Sequence, residues 1–198
     1  MTTAELRSVA RDDLDEITEL HLIAFPSSDL SRAGRRVVKR YYEEQWERPE
    51  QDRLFAGIWD GGRLAAFICA GHLGDALSAF LRRHRWFLVG NYVAKPWLLL
   101  RRETLGRLRI AAGLARAGSA SAPRYRVLSI ATHPSARGRG YAQRLLQHAE
   151  DAARRAGETE IGLTVETDNT AAQALYAGRG WEPIRVGSAW GGSMRKTL

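Results

Sequence analysis

Residues Val127 to Ala142 read VLSIATHPSARGRGYA, and the reading of this stretch decides the fold. The opening VLSIAT is mostly apolar with β-branched members, and Pro134 stops it, the pattern of a buried strand. A basic turn carrying Gly138 and Gly140 follows. After the turn, Ala142, Leu145, Leu146, Ala149 and Ala153 recur at the spacing of one helix face. The spacing predicts a strand, a tight loop and the first turn of a helix. Free backbone N–H groups at a helix start attract anions, because the amides and the helix dipole both present positive charge. Gly138 and Gly140 let backbone approach an anion closely, and Arg137 and Arg139 add fixed charge. The chemistry implied is pyrophosphate binding.

The loop itself is Arg137-Gly138-Arg139-Gly140-Tyr141-Ala142. It is neither a Gly-Lys-Ser/Thr phosphate loop nor a dinucleotide G-x-G-x-x-G. Alone it reads equally well as a solvated basic turn. Further along, after room for one helix and one strand (Ile161, Leu163 and Val165 alternate), the chain reads NTAAQALYAGRGW from Asn169 to Trp181. The loop resembles the (Gln/Arg)-x-x-Gly-x-(Gly/Ala) signature of the GNAT acyltransferase superfamily. The downstream stretch resembles that family's N-x-x-A-x-x-L-Y-x-x-x-G-(F/W) signature over its whole length. With both signatures in order, the chain is identified as a member of that superfamily.

At 198 residues, with 44% apolar and 26% charged residues, the chain is expected to form one soluble domain, residues 1–198, with a full core. A single cysteine, Cys69, excludes an internal disulfide, and its place in AAFICA reads as a buried small hydrophobe. No signal peptide precedes the charged start, so a cytoplasmic protein is expected. Histidines that lack helical pairing or cysteine company give no metal site. The net charge of +8 is uneven: residues 72–126 carry +9 and the remainder −1. Any electrostatic partner must therefore be sought through the middle of the chain.

In order, Leu6 to Ala10 reads as a strand. A helix opens at Asp12-Asp13 with Leu14, Ile17, Leu20 and His21 on one side, and Pro26-Ser27-Ser28-Asp29 breaks it. A second helix runs through Arg36, Val37, Val38, Tyr41 and Tyr42 to about Trp46. Leu54–Trp59, Asp60-Gly61-Gly62 and Leu64–Ala70 form a hairpin. The helix after the loop ends at Ala156-Gly157. Two closing strands fill Glu182 to Leu198, turning at Gly187-Ser188 or Gly191-Gly192. The expected fold is α/β (α+β): a GNAT-type mixed, twisted sheet of about six or seven strands flanked by helices, with an extra helical insert between strands 3 and 4.

The insert, about residues 72–123, exceeds a minimal core of that family. Leu77, Phe80, Leu81 and His84 suit an amphipathic helix, a third piece runs over Glu103–Ala117, and WFLVGNYVAKPWLLLRR at Trp86–Arg102 is too broken to span a bilayer. It reads as helices packed on the sheet or forming a homodimer face, as a lid suited to an acidic or phosphorylated acceptor, or as a segment on an anionic lipid surface. No nucleic-acid motif accompanies its charge.

The resemblance implies that the fourth and fifth strands run parallel and splay, and that pantetheine of acetyl-CoA lies between them against backbone of Ile130, Ala131 and Thr132. It places pyrophosphate on the amides of Arg137, Gly138, Arg139, Gly140, Tyr141 and Ala142. Tyr176 becomes the general acid for the leaving thiolate, since a phenol is protonated at neutral pH. Asn169, earlier on the same helix, either bonds the pantetheine arm or caps the helix. Candidates for a base are Glu166, His133 and His72. The implied activity is acetyl transfer from acetyl-CoA to a primary amine by direct attack, the acceptor being a small molecule or a protein, without metal or acyl-enzyme. A non-catalytic acyl-CoA-binding module that uses the insert to contact a partner or membrane is the alternative.

Overall fold

The hairpin predicted at the Asp60-Gly61-Gly62 turn stands near the centre of the sheet. In the computed structural model, which describes residues 4–72, 76–84, 123–186 and 189–198, strand β2 spans Arg53–Asp60 and β3 spans Arg63–Gly71. Leu64 to Gly71 is buried throughout, as an apolar run covered on both faces must be. Ala66, Ile68 and Ala70 face one core, and Phe67 and Cys69 face the other. Cys69 is buried, and burial pushes its thiol up to about 12. It is a packing residue.

The sheet has seven strands. β1 (Glu5–Ser8), β4 (Tyr125–Thr132), β5 (Glu160–Thr164), β6 (Glu182–Val186) and β7 (Ala189–Thr197) join β2 and β3 in the order β1-β2-β3-β4-β5-β7-β6. Every pairing is antiparallel except β4 with β5. β7 carries Gly191 and Gly192 within it, so the last hairpin turns before them. Residues 187–188 and all of the insert except 72, 76–84 and 123 lie outside the described residues.

One face of the sheet is covered by α1 (Leu14–Ala24), α2 (Asp29–Ala33), α3 (Arg35–Trp46) and α4 (Ala76–Arg83). The sequence predicted two helices before the hairpin. The third, α2, is a short turn that Ser28 caps by accepting from the Ser31 amide at 3.1 Å. The other face carries α5 (Tyr141–Arg155), whose Leu145, Leu146, Ala149 and Ala153 are fully buried. Gly157 ends that helix at φ 79°, and the Glu158 amide donates back to the Ala153 carbonyl at 3.0 Å, the predicted glycine cap. α6 (Thr170–Ala177) lies past the end of β5.

Under the first face, the Tyr42 hydroxyl and His21 Nδ1 are 2.7 Å apart in full burial, and His21 Nε2 lies 3.4 Å from Ser28 Oγ. A proton on Nε2 satisfies both contacts, with Tyr42 donating to Nδ1. Burial lowers the His21 pKa from 6.5 to about 4. The unfolded chain therefore binds a proton here that the folded chain refuses between those values. That stability is complete above about pH 6.5 and is lost as the pH falls towards 4. At roughly 1.4 kcal/mol per unit the loss is about 3 kcal/mol. Urea denaturation from pH 7 to 4.5 should show this slope, and His21→Gln should flatten it.

Candidate active site

Strands β4 and β5 pair over three residues only, Tyr125, Arg126 and Val127 against Ile161, Gly162 and Leu163. β3 continues along β4 to Thr132, with a register shift that places Ser129 opposite Cys69 and Val127 opposite Ala70. Leu128 is thus an extra residue in β4, a bulge that bends the strand where it leaves β5. Past Leu163, β5 stays with β7, and the Val165 amide donates to the Gly192 carbonyl at 2.9 Å. The sheet opens into a wedge.

A cavity of about 580 Å³ occupies the wedge mouth. Ile130, Ala131 and Thr132 line it from β4, and Arg137, Gly138, Gly140, Tyr141 and Ala142 line it from the loop and helix start. Asn169 and Tyr176 line it from the α6 side. Gly138 and Gly140 have φ of 78° and 75°, a region costly for residues with a Cβ. The first bond of α5 from its cap runs from the Arg144 amide to the Gly140 carbonyl at 3.0 Å. The amides of Tyr141, Ala142 and Gln143 therefore precede the helical ladder and remain available to an anion. Burial pushes the Tyr176 phenol up to about 12.

The remaining predicted residues fall elsewhere. Arg139 does not line the cavity; its Nη1 donates to Asp60 Oδ2 at 2.6 Å. Asn169 caps α6 by accepting from the Ala172 amide at 3.1 Å, and it lines the cavity as well. Glu166 is exposed and absent from the lining, while its backbone carbonyl takes the Asn169 amide and the Gln173 side chain. His133 bonds Ser135 at 2.7 Å beside the loop. His72 lies 2.8 Å from Glu158 and edge-on to Tyr125, also outside the lining.

Several lining residues escaped the sequence reading. Ala24 and Phe25 close the cavity from the end of α1, and Gln143 from the first turn of α5. Ala171, Ala172 and Leu175 stand beside Tyr176 at helical spacing, and that periodicity could have found them. Phe25 has no local signal. It reaches the wall because α1 packs under the sheet, with its ring 5.0 Å from His21.

A family model for the acetyltransferase (GNAT) family matches residues 14–181. An uncharacterised protein of Mycobacterium leprae is 44% identical over 73 residues, which are 37% of this chain and 20% of that protein. The chain thus spans about a fifth of that relative's length. Among solved structures, the PaiA N-acetyltransferase of Thermoplasma acidophilum in complex with coenzyme A aligns over 99% of both chains, at 15% identity and TM-score 0.56. The ribosomal-protein-S18-alanine N-acetyltransferase of Escherichia coli aligns over 99% of this chain and 94% of its own, at 15% identity and TM-score 0.58. The Salmonella typhimurium protein yncA, solved with acetyl-CoA, covers 98% of this chain and 94% of its own, at 17% identity and TM-score 0.59. At these identities the likeness is one of fold.

Glycine at 140 has a checkable consequence. An added Cβ meets only Gln143 Oε1, at an ordinary 3.7 Å, so its penalty is conformational, about 1–2 kcal/mol. With alanine there the loop would escape that strain by relaxing, and a pyrophosphate bound at this loop would have to restore its shape. Gly140→Ala should weaken coenzyme A binding roughly tenfold in calorimetry, with little change in thermal midpoint.

Proposed function

This chain belongs to the GNAT acetyltransferase family, and we propose that it moves the acetyl group of acetyl-CoA to the primary amine of a small-molecule acceptor by direct attack. The observation that supports this most is the wedge where β4 leaves β5: residues of the loop, of β4 and of α6, Tyr176 among them, line one cavity. Pyrophosphate on the helix start and pantetheine along Ile130–Thr132 would hold the thioester near the phenol. The neutral amine adds to the thioester carbonyl carbon, and the C–S bond of the resulting adduct breaks. The sulfur takes the phenol proton of Tyr176, and the proton shed by the amine nitrogen restores the phenol. The rate gain comes chiefly from holding the two reactants together. Glu166, exposed beyond β5, would take an acceptor proton only through solvent.

Two features support a small acceptor. The insert begins against the wall built by α3: Phe80 of α4 is fully buried and edge-on to Tyr41 at 5.5 Å, and His84 Nε2 lies 2.8 Å from Glu44 Oε2. The +9 charge of residues 72–126 disfavours a polycationic acceptor if that segment faces the site.

Thiol release from acetyl-CoA should be followed across a panel of neutral, acidic and phosphorylated amines, with coenzyme A binding measured in parallel. Turnover on one amine class supports the proposal. Tight binding without turnover on any amine favours the non-catalytic module. Tyr176→Phe should lower kcat about a hundredfold while coenzyme A affinity stays within about twofold. Because the phenol is pushed up to about 12, it stays protonated throughout the working range. The wild-type rate should therefore show no alkaline fall from this group below about pH 10.

A further inference from the structure

Arg139 holds the charge that the sequence assigned to the anion, yet its guanidinium points to the hairpin. Asp60 ends β2 at the turn into β3, where it pairs with Arg63. Its Oδ2 accepts from Arg139 Nη1 at 2.6 Å and from the Tyr141 hydroxyl at 2.8 Å. The contacts differ in kind. The Arg139 side chain is 56% exposed, so its ion pair alone contributes little. Tyr141 is buried with its ring in the core beneath α5, and a part-buried hydroxyl on a carboxylate is a charge-assisted bond. Together they fasten residues on either side of Gly140 to one atom of a rigid hairpin. The loop needs such a fastening, because Gly138 and Gly140 give it more freedom to lose than other residues would.

We propose that Asp60 is a positioning residue for acetyl-CoA: it pre-organises the Arg137–Ala142 loop through Arg139 and Tyr141 and keeps the Arg139 guanidinium off the pyrophosphate. This rests on the reading of the loop as the coenzyme A site. Arg137, which lines the cavity and has no carboxylate partner among the described residues, is then the loop's cation for the ligand. Asp60, Arg139 and Tyr141 act as one unit. All three act through the same loop geometry, so their effects do not add.

The test measures coenzyme A binding by calorimetry and KM and kcat for acetyl-CoA with an amine that the wild type uses. S-acetylpantetheine, which lacks the pyrophosphate, serves as a second donor. Asp60→Asn and Arg139→Ala should each weaken coenzyme A binding by about five- to tenfold and raise its KM similarly. The double variant should be no worse than either alone, and kcat at saturation should hold. The KM for S-acetylpantetheine should not change. Tyr141→Phe removes a single hydroxyl and should reproduce part of the effect if Asp60→Asn fails to fold. Unchanged or tighter binding by Asp60→Asn, with a large loss for Arg139→Ala, would overturn the proposal by putting Arg139 on the phosphates. Equal losses with both donors, or a fall in kcat, would overturn it by making the contact merely structural. If the wild type binds no coenzyme A, the underlying reading of the loop fails instead, and the variants are not needed to see it.

Discussion

The cavity proposed as the ligand site depends on two parallel strands that stop pairing. A strand interior to a sheet ordinarily satisfies its amides and carbonyls on both sides. β4 does so against β3 up to Thr132, but against β5 only through Val127. The bulge at Leu128 turns β4 away, and β5 is held on the other side by β7. Gly192 makes that second attachment possible. With φ of 84° its backbone comes so close to Val165 that an added Cβ would lie 2.1 Å from the Val165 carbonyl oxygen. A side chain there would have to push β7 off β5. The wedge is thus kept open from both sides by backbone conformation, and β4 inside it has no pairing with β5 beyond Val127, which suits the proposed binding of a ligand whose amides hydrogen-bond like a strand.

Much of this was legible locally. The glycine-bearing loop, its strand and its helix are adjacent in sequence, and each is specified by alternation, by helical spacing or by glycine. The Asp60-Gly61-Gly62 hairpin and the Gly157 cap are equally local. Asn169 was readable as a cap or as a site residue, and it caps α6 while also lining the cavity. What sequence reasoning missed is non-local. α2 is a single short turn with too few residues to show a period. Phe25 reaches the cavity through the packing of α1. The carboxylate that takes Arg139 and Tyr141 lies 79 and 81 residues away in sequence. Charge on the loop was visible; its direction was not.

The insert shows the same division. Spacing found the amphipathic helix of Leu77, Phe80, Leu81 and His84, and Ala76–Arg83 is helical. Its attachment could not be read, because it rests on Glu44, a charged residue on a helix three elements earlier. Glu44 and His84 are both nearly buried, with side chains 9% and 13% exposed. A carboxylate in that position is tolerable only with a donor, and the imidazole of α4 supplies it. The pair therefore ties the start of the basic segment to the helix layer on that face of the sheet.

A second buried carboxylate determines where the proposed acid stands. Glu150, 1% exposed on α5, takes Lys196 Nζ at 2.8 Å, Arg179 Nη2 at 3.0 Å and Trp181 Nε1 at 3.4 Å. Lone burial of that charge would cost several kcal/mol, and two cations and an indole N–H offset it. Arg179 and Trp181 in turn donate their amides to the Tyr176 carbonyl at 2.9 and 3.1 Å. The end of α6 is thereby fixed to α5 from behind. The N-terminus of that same α5 presents the loop amides to the cavity. One helix thus spans the proposed anion-binding end and the support of Tyr176, so the distance between the proposed pyrophosphate site and the proposed acid is set by helix geometry.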